Sequence, residues 1–358
     1  MSKVGYTYIY TLPYWIFTED DDKWEVIGID YNNYVYRVYR PYRHDKLPFL
    51  NTPTEIHTQQ IPGFESAQNT TFDPSFYGLP TIGDPLKKQL IYPGHENNLD
   101  PKLLPKDSIR IDVLPKTGEM FQPVEADRFI NNLMELVRWK TKQWWITRSS
   151  YGICRVGAFP FPIDRNSVPV KDKVRPFKPF TAIPLYGDEV NLSDSIWKEC
   201  LASACLDNEQ VPVYEMLLLE ARYFLASGDI RQATLEASSA VDICKEIIFQ
   251  RLWCANNPGK SYGDSKRNKL LRNWDYPRHL DVKYSNHFGR SYRQENPQEW
   301  SEINYLYEAR NNIAHGGPNQ YGQPPVVVNE KVCRGFVMAS THCMGWLLEL
   351  LPIDAKHT

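Results

Sequence analysis

Over the first 45 residues, apolar and polar positions alternate with period two. Tyr6, Tyr8 and Tyr10 lie two apart, as do Tyr34 and Tyr36. Period two puts each set on one face of a sheet, and tyrosine favours strands. The acidic run Glu19-Asp20-Asp21-Asp22 separates the two sets, which predicts a hairpin turning there. Residues 46–105 are dense in Pro, Gly, Asn and Thr and read as long loops. Ser108–Leu114 reads as a strand. Glu125–Lys142 reads as a helix with Phe129, Leu133, Leu136 and Val137 as its apolar stripe, and Trp144–Phe159 as strand again.

Beyond a Pro- and Lys-rich stretch the period changes from two to 3.6. Helices are predicted at about 192–206, 212–227, 229–254, 297–315 and 329–351, enough for an up-and-down bundle. Gly228-Asp229 punctuates the second and third, with Asp229 as N-cap. Asn296-Pro297-Gln298-Glu299 starts the fourth with a cap residue, a proline at the first helical position and a carboxylate at the third, and Gly316-Gly317-Pro318 ends it. The expected fold class is α+β: a β-rich N-terminal domain at 1–163, a linker at 164–190, and an all-α helical bundle at 191–354 with an insertion at 257–295.

Composition changes this picture little. The chain has 358 residues, enough for two or three domains, with 42% hydrophobic and 23% charged residues, ordinary for a globular protein. Its formal net charge of -2 gives no global field for nucleic acid, so any such contact must rest on local charge. The seven cysteines include no Cys-x-x-Cys and read as reduced and structural, which suggests a cytoplasmic protein without a zinc site. Nothing at the start reads as a signal peptide. The most apolar late stretch, Phe336–Leu351, is too short to span a membrane and contains His342 and Glu349. No phosphate-cradling glycine loop or nucleophile elbow is present, which argues against an ATPase or a serine hydrolase.

The candidate chemistry lies at the end of the fourth helix, in Arg310-Asn311-Asn312-Ile313-Ala314-His315. An arginine with four to six residues before a histidine also occurs at Arg37–His44 and Arg272–His279, but only the third pair sits on a well-punctuated helix. With Trp300 at zero and about 100° per residue, the apolar stripe runs from about 220° to 340°, and Arg310 falls within it at about 280°. A guanidinium there must be paired or face a second surface. Asn311 and His315 fall at about 20° and 60°, on a polar edge shared with Asn304 and Glu308. Arg310 and His315 are thus about 140° apart, and converge only if the helix breaks at the glycines or if two copies face each other. Two roles compete for these residues. In one, Arg310 pairs with a carboxylate and His315 stabilises a helix end. In the other, His315 moves a proton near neutrality, Arg310 stabilises charge on phosphorus oxygens, and Asn311 orients the phosphate or the imidazole.

The motif resembles that of the HEPN superfamily, all-helical proteins of defence and RNA-processing systems whose pattern is Arg, a polar residue, three to five spacers and His. Gly316 after the histidine and the upstream segment Glu220–Ala233 add to the resemblance, which covers about residues 190–352. It implies a homodimer whose two motifs form one composite, metal-independent endoribonuclease site without cofactor. Its catalytic residues would be Arg310, Asn311 and His315, and cleavage would leave a 2′,3′-cyclic phosphate and a 5′-hydroxyl. It also implies a toxin or abortive-infection role, as in ApeA-like members. The substrate would be tRNA, mRNA or other single-stranded RNA, and a trigger or antitoxin protein would meet the N-terminal domain. Non-catalytic members imply the alternative, a dimerisation or adaptor protein.

The insertion between the third and fourth helices departs from that family pattern. Lys260–Arg293 holds nine Lys/Arg against three Asp, interleaved with Tyr262, Trp274, Tyr276, Tyr284, Phe288 and Tyr292. Basic residues hold phosphates and aromatics stack on bases, which makes Lys266, Arg267, Lys269, Arg272, Arg290 and Arg293 candidate RNA contacts. A solvated loop or a dimer contact is the competing reading. His279, His287 and His342 read as structural.

Overall fold

The computed structural model describes residues 5–18, 26–31, 34–41, 105–116, 123–146, 154–161, 186, 188–206, 211–260, 262–263 and 276–352. The chain divides into two units, Met1–Gln210 and Val211–Thr358. The fold class is α+β, an antiparallel sheet followed by a mainly helical region.

The first unit is built on strands β1 (Gly5–Phe17), β2 (Val26–Tyr31), β3 (Tyr34–Tyr39), β4 (Pro105–Pro115) and β5 (Cys154–Phe161), in the spatial order β2-β3-β4-β1-β5. Every pairing is antiparallel. The tyrosine periodicity sets one face. Tyr8 and Tyr10 lie opposite Ile111 and Ile109, and Tyr36 lies opposite Val113. All six are buried. Helix α1 (Pro123–Thr141) covers this face: Phe129 stacks on Tyr36 at 4.8 Å, and Tyr10 Oη donates to Asp127 Oδ1 at 2.9 Å.

Two expectations change here. The hairpin expected between the first two strand runs does not form, because β1 pairs with β4 and β5. The local hairpin is β2–β3, where Tyr31 faces Tyr34. A strand of buried tyrosines needs neighbours on both sides, and distant strands supply them; Glu19–Asp22 lies outside the described residues. Of the strand expected at Trp144–Phe159, residues 154–159 lie in β5, and residues 147–153 lie outside the described residues. Trp144, Trp145 and Ile146 instead form a buried turn after α1, with Trp145 against Phe17 at 5.5 Å. Gln143 joins this turn to β1, accepting from Phe17 N at 2.9 Å and donating to Phe17 O at 2.9 Å.

The opposite sheet face carries a buried ion pair. Arg110 and Asp112 are fully buried on β4, their groups 3.0 Å apart, and Tyr39 Oη donates to Asp112 Oδ2 at 2.9 Å. Arg110 also sits 4.5 Å from the Tyr39 ring centre. Burial pushes the Tyr39 phenol far above its ordinary range. Helix α2 (Asp194–Leu206) packs in this unit, against α1, rather than in the bundle to which its periodicity assigned it. Its buried stripe of Trp197, Cys200, Leu201 and Ala204 has helical spacing, and such a stripe specifies burial without naming the partner.

The second unit packs four long helices: α3 (Val213–Ala226), α4 (Ile230–Asn256), α5 (Pro297–Ala314) and α6 (Glu330–Glu349). Helix α4 is central and touches the other three. It allows close approach through a face of small residues, with Ala233, Ala237, Ala240, Val241 and Cys244 at 0% exposure. Asp229 caps α4, accepting from Gln232 N, after Gly228 turns the chain at φ 84°. A short hairpin, β6 (Gln320–Tyr321) with β7 (Val326–Val327), joins α5 to α6. Among the described residues, no helix is long and apolar enough to cross a membrane.

Candidate functional site

Helix α5 begins at Pro297, as its start signal predicts, although the Asn296 side chain makes no capping hydrogen bond. The buried stripe is Ile303, Leu306, Ala309 and Ile313. It centres near 235° on the wheel, because Ala309 is inside while Tyr307 is half-buried and Ala314 exposed. Arg310 therefore sits on the rim of the stripe rather than in its middle, and is half-buried.

The helix stays regular through the motif. His315 N donates to Asn311 O at 3.0 Å, and His315 is the residue that closes the helix. The stop is a Schellman turn: Gly316 N donates to Ile313 O at 3.0 Å and Gly317 N to Asn312 O at 2.8 Å. Gly316 takes φ 78°, which glycine adopts without strain. A Cβ on Gly317 would lie 2.9 Å from Asn312 O, so the second glycine is needed for close approach. The break thus comes after His315, not between it and Arg310.

Arg310 Nη1 donates to Asn311 Oδ1 at 3.1 Å. Among the described residues the Arg310 side chain has no carboxylate partner, and the His315 imidazole, which is exposed, has no hydrogen-bond partner. Within one chain the motif brings Arg310 and Asn311 together and leaves His315 apart. The arc between Arg310 and His315 carries the buried Ile303, the half-buried Trp300, Asn304, Tyr307 and Asn311, and the exposed Ala314.

Contacts to which the sequence assigned no role hold this region. Arg231, in the first turn of α4, donates from Nη1 to Gly317 O at 3.1 Å and from Nη2 to Ile313 O at 3.3 Å. Asn319 Nδ2 reaches Thr234 Oγ1 at 3.3 Å. Glu308 accepts from Gly322 N at 3.0 Å and Asn304 Nδ2 at 3.4 Å, while Asn312 Nδ2 donates to Gln320 O at 2.6 Å. These bonds fasten the hairpin to the polar flank of α5. Apart from the Asn304–Glu308 bond within one helix, each joins residues distant in sequence or uses a backbone atom, so periodicity and motif spacing carry no trace of them.

Residues 276–295 of the basic insertion are mainly helical. They comprise a turn at Tyr276–Arg278, a π-helical turn at His279–Lys283, and short helices at Tyr284–Phe288 and Tyr292–Glu295. Tyr284 and Tyr292 are fully buried against Trp346, at 5.7 and 5.2 Å, so these two aromatics serve the core rather than bases. Arg290 Nε donates to Glu295 Oε1 at 2.6 Å, and Trp346 Nε1 donates to Glu295 Oε2 at 2.8 Å. The Arg290 hydrogen bond, with that from Trp346, holds the Glu295 carboxyl down at about 2. Arg293 lies 3.5 Å from Asp281. Both arginines thus have carboxylate partners. Lys266, Arg267, Lys269 and Arg272 lie outside the described residues. His279 is fully buried 4.9 Å from Phe249, and neither ring nitrogen has a hydrogen-bond partner among the described residues. Burial, with the positive charges of Lys245 and Lys283, pushes it down to about 2. His342 is exposed, 3.8 Å from Glu299.

Among the described residues, no group of three or more His, Cys, Asp or Glu is placed to hold a metal ion. Comparison with protein-family models, with curated proteins and with solved structures gives no match.

Proposed function

We propose that the helical unit is a metal-independent endoribonuclease of the HEPN type, acting in the cytoplasm as a toxin-like or abortive-infection effector. One observation carries this reading: Arg310 has no carboxylate partner among the described residues and bonds only to Asn311, the next residue of the motif. A fully buried arginine needs a counter-charge, as Arg110 has in Asp112, whereas the half-buried Arg310 keeps part of its guanidinium toward solvent. Arg310 and Asn311 are linked at the rim of the stripe, with a guanidinium edge available for a substrate phosphate.

Two copies of α5 facing each other across the arc of Trp300, Tyr307 and Asn311 would set the Arg310 of one chain against the His315 of the other. The His315 imidazole takes the proton of the 2′-hydroxyl as base, and water protonates the leaving 5′-oxygen, the resulting hydroxide taking back the proton that the imidazole holds. The 2′-oxygen attacks phosphorus, the bond to the 5′-oxygen breaks, and the products are a 2′,3′-cyclic phosphate and a 5′-hydroxyl. The guanidinium stabilises the charge that grows on the non-bridging oxygens, and Asn311 orients it. The β-rich unit acts as sensor, meeting a trigger or antitoxin protein.

The test compares wild type, Arg310→Ala and His315→Ala for growth arrest and RNA integrity after expression. Cleavage by wild type in the presence of EDTA, lost in both variants, is the expected result. Identical RNA profiles in all three, with and without infection as trigger, would sink the nuclease reading and leave a dimerisation or adaptor role.

A further inference from the structure

We propose that Arg231 is a positioning residue for His315, clamping the turn that presents the imidazole; the catalytic part of this claim rests on the nuclease reading above. His315 lies between two carbonyls, Ile313 O and Gly317 O, and Arg231 donates to both, at 3.3 and 3.1 Å. The two prongs of one guanidinium therefore hold the chain before and after the histidine. Arg231 has no carboxylate partner among the described residues, so its fork is committed to these carbonyls.

The clamp has a rigid base. Arg231 follows Ile230 at the start of α4, where Asp229 accepts from Gln232 N at 3.0 Å. Asn319 docks the outgoing chain on the same turn through Thr234 Oγ1, itself bonded to Ile230 O at 2.8 Å. The first turn of α4 thus grips residues 313–319 at several points. Gly316 and Gly317 need this support, because glycines carry the largest backbone freedom. His315 has no side-chain hydrogen bond of its own among the described residues, so the backbone turn sets the direction in which its Cα–Cβ bond leaves the chain. A lysine at 231 keeps the charge but offers no planar fork for two carbonyls.

Full-length wild type, Arg231→Ala and Arg231→Lys are compared in two measurements. Hydrogen exchange reads the amides of His315, Gly316 and Gly317, which donate to Asn311 O, Ile313 O and Asn312 O. Arg231→Ala should speed their exchange about tenfold without altering α3 or the rest of α4, and Arg231→Lys should fall between. Unchanged exchange in Arg231→Ala overturns the clamp. RNA cleavage then separates positioning from general loosening: kcat should fall about 10- to 100-fold with KM unchanged, partly restored by lysine. A raised KM with unchanged kcat overturns positioning and makes Arg231 a substrate contact. If wild type cleaves no RNA, the nuclease reading fails by itself, and the exchange comparison still decides whether Arg231 holds the turn.

Discussion

Among the described residues, no polar group bonds to either ring nitrogen of the buried His279. Its ring is enclosed by Phe249 and Tyr284, with Lys245, Lys283 and His287 as the nearby titratable groups. A proton on the ring is therefore opposed by burial and by two cations, and the folded value drops from 6.5 to about 2. The sign follows from proton counts. Between these values the unfolded chain binds a proton that the folded chain refuses, so stability is full above pH 6.5 and is lost as pH falls toward 2. At pH 5 the loss is about 2 kcal/mol, at roughly 1.4 kcal/mol per unit. Glu295 loses its contribution in a lower window, between 4.5 and about 2. Urea denaturation of wild type and His279→Leu at pH 7 and pH 5 checks this. The wild type should lose stability on acidification and the leucine variant much less; equal losses would show that other groups set the acid sensitivity.

At the scale of elements, helices α3 to α6 were legible to within two residues at each end, because periodicity and local punctuation marked them. Partners were less legible. The stripe of α2 gave its burial but not the surface it meets, and β1 gave its buried face but not that β4 and β5 flank it. The candidate site divides the same way. Arg310, Asn311 and His315 are a local pattern on one helix. Arg231, 79 positions before Arg310 and on another helix, enters only when α4 crosses the end of α5. The small face of α4 is where such crossings are decided. Ala237 is fully buried there, and Ala237→Leu should overpack the contact and cost about 1–3 kcal/mol. The urea midpoint reads this directly, and an unchanged midpoint would mean that the neighbouring helices have slack.

For the whole molecule, the decisive geometry is the separation of Arg310 from His315. The hydrogen bonding of α5 continues through His315 N to Asn311 O, so the helix does not unwind to bring them together. A single described chain thus offers an arginine paired with asparagine on one side of an arc and an exposed histidine on the other. If catalysis uses both, each half must come from a different copy, and this predicts complementation. Arg310→Ala and His315→Ala proteins, each inactive alone, are unfolded together, refolded as a mixture and assayed. Mixed dimers join the intact Arg310 of one chain to the intact His315 of the other, so a fraction of wild-type cleavage should return, in proportion to the mixed species. Refolding each variant alone gives the baseline. Mixed dimers, isolated by two affinity tags, that remain as inactive as their parents would show that Arg310 and His315 do not act across the interface.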